Sequence, residues 1–136
     1  QIVKEIIKPA LDRGIIVISD RFSDATFSYQ GYGGRVDLEA IKTLDRVATA
    51  GVVPDLTILL DIDTLEGLKR ARKKGIDRME KKDLSYHNRV RSGYLKLSKR
   101  YPGRIRRVEV SGRISKVQAK IRHEVEIVLQ KFKRPG

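Results

Sequence analysis

Cysteine and tryptophan are absent from these 136 residues, and methionine occurs once. Without cysteine, a disulfide scaffold and any thiolate metal site are excluded, and the composition suits a reducing compartment such as the cytoplasm. The two histidines, His87 and His123, lie far apart with no partner at metal-ligand spacing. No apolar run approaches the roughly 18–20 residues that cross a bilayer, so no membrane partner is expected. Acidic side chains are scarce in one half only. Residues 1–65 carry 7 of the 30 basic and 10 of the 17 acidic residues, which leaves 23 basic against 7 acidic over residues 66–136. Taken by itself, that polarity points to an anionic partner for the second half: nucleotide phosphates, nucleic acid or a membrane surface.

What is present is periodic. With 40% apolar residues the chain can bury a core despite 35% charged residues. Ile2, Val3, Ile6, Ile7 and Leu11 recur at helical spacing, so a helix is expected over 2–12, with Pro9 straining it late and Gly14 ending it. Ile15-Ile16-Val17-Ile18 is continuous and β-branched, the composition of a strand buried on both faces of a parallel sheet. Residues 19–35 read as loop or irregular helix. Leu38, Ile41, Leu44 and Ala48 mark a further helix up to Gly51, and Leu56–Leu60 a second buried strand. Asp63 with Glu66 three residues later is a capping box for a helix through Arg72. A helix follows from Leu84 to near Pro102 and a strand over 105–110. A last helix carries Val117, Ile121, Val125, Val128, Leu129 and Phe132 as its stripe. Alternating strands and helices imply an α/β fold with a parallel sheet, in which ligands sit beyond the carboxyl ends of the strands.

The stretch after the first expected strand holds the chemistry. Asp20 can hold Mg²⁺ directly or through water, and Arg21 can clamp a phosphoryl group whose charge is spread over several oxygens. Taken alone, an Asp-Arg pair is also what a surface ion pair looks like. Tyr29 and Gln30 supply a ring and an amide able to read one edge of a pyrimidine. Downstream, Lys69, Arg70, Arg72, Lys73, Lys74 and Arg78 form a basic tract with a flexible point at Gly75.

The ordered set Asp20-Arg21-Phe22, Thr26, Tyr29-Gln30-Gly31 and Gly34-Arg35 resembles the thymidylate kinase family. The resemblance continues through Pro54-Asp55-Leu56 and Leu60-Asp61, then Asp77-Arg78-Met79-Glu80, and closes with Arg89-Val90-Arg91-Ser92-Gly93-Tyr94-Leu95. It implies a nucleoside monophosphate kinase-like parallel sheet with helices on both faces, and transfer of the ATP γ-phosphate to thymidine monophosphate with Mg²⁺. It also implies roles: Arg21 on the transferring phosphates, Asp20 near the metal, Thr26 and Gln30 near thymine, and Tyr29 against the deoxyribose, where it disfavours a 2′-hydroxyl. Arg70, Arg72 and Arg78 become a lid over ATP within a basic segment at about 69–83, and Arg113 lies near adenine. Relatives of this kind are homodimers, and the helices at 2–12 and 38–50 are the candidate faces. Ala25 and Ser28 depart from the family's habit of Ser and Ala at those places.

No Gly-x-x-x-x-Gly-Lys-Ser/Thr phosphate loop occurs in the sequence, which opens at Gln1 inside a helical pattern. The expectation is therefore a carboxyl-terminal part of one such domain, without its first strands and inactive alone. The alternatives are another nucleotide kinase of the same fold, or a basic nucleic-acid-binding module. The second is disfavoured, because Tyr86, Tyr94, Tyr101 and Phe132 sit mostly at helical core spacing.

Overall fold

The computed structural model describes residues 1–73 and 82–133. The chain opens with helix α1, a π-helical turn over Val3–Ile7 that continues as α-helix over Lys8–Asp12. The wide turn suits Pro9, whose ring has no N–H to give and collides with the carbonyl one tight turn back. Gly14 at φ +74° ends the helix, with the Ile15 N–H bonded to the Ala10 carbonyl at 3.0 Å. Helix α2 begins at Ser23–Thr26 and widens into a π-helix over Phe27–Gly33. Helix α3 covers Leu38–Ala48 and is capped by the Asp37 carboxylate, which accepts from the Ala40 N–H at 2.9 Å.

Strand β1 (Thr57–Asp61) and strand β2 (Ile105–Glu109) pair in parallel, Thr57 opposite Ile105 and Asp61 opposite Glu109. Between them run helix α4 (Thr64–Arg72) and helix α5 (Leu84–Arg100), and helix α6 (Ile114–Phe132) follows β2. Alternation along β2 sorts its neighbours by face. Arg106 pairs with Glu124 of α6 at 3.3 Å, whereas Arg107 points the other way, to Asp61, which also holds Arg91 of α5. Helices thus cover both faces of the parallel pair, as expected for the α/β class. The buried apolar residues are Val3, Ile41, Val90, Leu97, Ile105 and Val108.

Two expectations need correction. Residues 15–18 are extended but join no sheet among the described residues, and Ile16 and Ile18 are 68% and 93% exposed. A strand is defined by its ladder, and β-branched composition cannot supply the neighbour that completes one. Likewise β1 is not fully buried: Leu60 is 52% exposed near its carboxyl end, and the strand is paired on one edge only among the described residues. The capping box over α4 is half realised. Asp63 accepts from the N–H groups of Leu65 and Glu66, but the Glu66 carboxylate turns to Arg70 instead.

Candidate functional site

The turn at Ser19–Phe22 joins the extended segment to α2, and its geometry is set by Arg21. This residue has φ +68°, in the left-handed region that non-glycine side chains occupy at a cost. The Ser19 hydroxyl donates to the Arg21 carbonyl at 2.8 Å and steadies the turn. So placed, the guanidinium lies 4.9 Å from the centroid of the Tyr29 ring. The residue expected on the phosphates and the residue expected on the sugar are therefore in contact. Asp20 is exposed beside them. Thr26 and Gln30, four residues apart on α2, are both exposed and share a side of the helix.

Helix α5 supports this arrangement from below. The Tyr86 hydroxyl donates to the Tyr29 carbonyl at 3.3 Å, and Arg89 donates to the Gly33 carbonyl at 3.0 Å. Tyr94 meets Tyr29 edge to face, with centroids 6.2 Å apart and planes at 85°. Burial pushes the Tyr94 hydroxyl up to about 12; the neighbouring Tyr29 adds to this and Arg21 opposes it. The close approach of the two helices depends on Gly93. A Cβ there would lie 2.6 Å from the Tyr32 ring. Beyond Gly33 a cavity of about 280 Å³ opens, lined by Gly34, Arg35, Lys82, Asp83, Tyr86 and Arg89.

Two carboxylates lock the strands around the site. Asp24, buried in the first turn of α2, takes Arg104 in a two-pronged pair at 2.7 and 2.8 Å and accepts from the Thr57 hydroxyl at 2.9 Å. Asp61, buried at the carboxyl end of β1, receives Arg91 at 2.8 Å and the Arg107 Nε at 2.8 Å. Burial by itself raises the pKa of Asp61. The hydrogen bonds and charges of the two arginines more than reverse this, and hold it below the ordinary value of 3.8.

Among the described residues, no hydrogen bond or ion pair joins Arg70, Arg72 or Arg113 to this cluster. Arg70 donates to Glu66 at 2.9 Å on the exposed side of α4, and Arg72 is exposed in the last turn of the same helix. Arg113 is exposed at the start of α6, where its carbonyl accepts from the Lys116 N–H at 3.0 Å. Arg78 and the whole Asp77–Glu80 motif lie outside the described residues. Sequence reasoning placed Tyr86 and Tyr94 at core spacing and Arg91 in the closing motif without giving them a part in the site, and it passed over Asp24 and Arg104. One signal was available: Tyr86, Val90, Gly93 and Leu97 fall at helical spacing and define the inward side of α5.

The thymidylate kinase family model matches residues 1–121. A thymidylate kinase from an Exiguobacterium species is 43% identical over 122 residues, covering 89% of this chain and 58% of that protein. One from Trichodesmium erythraeum is 45% identical over 133 residues, 97% of this chain and 57% of that protein. Among solved structures, the thymidylate kinase of Ehrlichia chaffeensis superposes with a TM-score of 0.70 at 29% identity, over 90% of this chain and 57% of that one. The chain spans a little over half the length of these relatives.

Proposed function

The chain belongs to the thymidylate kinase family, and from that premise we propose that it serves the phosphorylation of thymidine monophosphate to the diphosphate by ATP. In that reaction the bond from the γ-phosphorus to the β,γ-bridging oxygen breaks as a thymidylate phosphate oxygen bonds to the γ-phosphorus, leaving ADP. The observation that carries the reading is Arg21 resting on Tyr29, which joins a phosphate clamp to a sugar-reading ring at one turn. Arg21 offers the planar, multiply donating cation that suits charge spread over phosphoryl oxygens. Thr26 and Gln30, on the exposed side of α2, are the thymine-facing pair in this reading.

Among the described residues no group of three or more His, Cys, Asp or Glu forms a metal cage. Mg²⁺ in kinases needs none, because one or two carboxylates plus substrate phosphates complete its shell. Asp20, exposed beside Arg21, fits as that carboxylate. The ion, when bound with ATP, neutralises charge developing on the phosphates. Arg70, Arg72, Arg78 and Arg113 supply cations to the donor nucleotide, the first three from a lid over about 69–83. A homodimer in the cytoplasm completes the reading. The dimer is supported by the outward Leu44 and Val47 of α3, 69% and 75% exposed, by the outward Ile6 of α1 and by Ile2 just before it.

Calorimetric titration of the 136-residue chain with thymidine monophosphate tests this. Saturable binding is expected, stronger than for uridine monophosphate and weakened about tenfold or more in Arg21→Ala, the size of a lost charge-assisted contact. Equal affinity of variant and parent overturns it. Salt-dependent binding to single-stranded DNA that thymidylate does not displace would favour the nucleic-acid module instead.

A further inference from the structure

The Tyr29 ring is held by two residues from outside its own helix, one from the preceding turn and one from α5. Arg21 lies 4.9 Å from its centroid, and Tyr94 of α5 meets it edge to face at 6.2 Å. The backbone of the same residue is fixed separately, by the Tyr86 hydroxyl on its carbonyl. Tyr94 is itself anchored, because the residue before it, Gly93, lets α5 press against Tyr32. The ring contact is thus mounted beside a point of close helix–helix approach. A ring used as a steric gauge has to be held to within a fraction of an ångström, since a small displacement opens room for one oxygen atom.

We propose that Tyr94 is a positioning residue that fixes the Tyr29 ring and so sets the preference for deoxyribose over ribose in the bound nucleotide. The inference rests on the reading of Tyr29 given above. Tyr94 needs to touch neither sugar nor phosphate. It acts through its aromatic ring, so phenylalanine should replace it and an aliphatic residue should not.

Dissociation constants for thymidine monophosphate and for its ribose counterpart, measured on the parent, Tyr94→Phe and Tyr94→Leu, provide the test. The parent and Tyr94→Phe should share one preference ratio. In Tyr94→Leu the ratio should fall about three- to tenfold, the loss expected for one aromatic pair. A merely structural role would weaken both nucleotides together and leave the ratio unchanged, and that result overturns the proposal, as does a Phe variant behaving like Leu. Should Tyr94→Leu not fold, Tyr94→Met carries the same comparison. If the parent binds neither nucleotide, the thymidylate reading falls. The flip rate of the Tyr29 ring by NMR in nucleotide-free protein then decides the positioning claim alone: faster in the aliphatic variant supports it, unchanged refutes it.

Discussion

Asp61 is 4% exposed and accepts hydrogen bonds from two arginines whose side chains are 37% and 51% exposed. Removing its charge strands both cations at the end of β1. Asp61→Asn should therefore cost about 2 kcal/mol, below the figure for a fully buried pair because solvent already screens the arginines. The effect depends on pH in a fixed direction. The folded state holds this carboxyl below its unfolded value of 3.8, so the stabilisation is complete above that value and drains away as pH falls through the folded one. Urea unfolding from pH 7 down to pH 2 should show a shallower acid limb in the Asn variant. Ser28 poses the opposite case. It is fully buried and its hydroxyl finds no partner among the described residues. At this position the family resemblance pointed to alanine, which would leave nothing unsatisfied.

Helix α5 organises the molecule at the next scale, and Gly93 is its contact point. Alanine is the better helix former by about 1 kcal/mol, so in an isolated helix Gly93→Ala would stabilise. Here the new methyl would meet the Tyr32 ring at 2.6 Å. The net outcome expected is destabilisation by roughly 1–2 kcal/mol, read as a lower urea midpoint, with the Tyr29–Tyr94 contact disturbed as well. Elements such as α3, α5 and α6 were legible in the sequence because each carries its own period and its own cap or breaker. Their bounds moved by only a few residues. The segment at 15–18 was misread because its β-branched run describes a preference, whereas a strand needs a neighbour that no local pattern encodes. The π-helical widening of α2 was visible only as irregularity. The site divides in the same way. Arg21, Tyr29 and Gln30 stood out through a contiguous motif, but the Asp24–Arg104 and Asp61–Arg107 pairs join residues 80 and 46 positions apart, which spacing cannot reveal.

Across the whole molecule, apolar surface is unevenly covered. Ile16, Ile18, Leu60, Leu44 and Val47 are all more than half exposed, and β1 keeps one edge without a partner among the described residues. Surface of this kind drives association, edge to edge or face to face. Ile18→Lys, at a position 93% exposed, should lower the weight-average mass seen in sedimentation at tens of micromolar while leaving the circular dichroism unchanged. The parallel pairing of β1 with β2 also bears on how the chain is made. Asp61 must wait for Arg107, 46 residues later, before its ladder and its clamp can form. At a translation rate of about 5–20 residues per second, that is an interval of roughly 2–9 seconds on the ribosome. During that interval β1 lacks the β2 neighbour it has in the folded chain, and its apolar side chains are open to a nascent-chain chaperone.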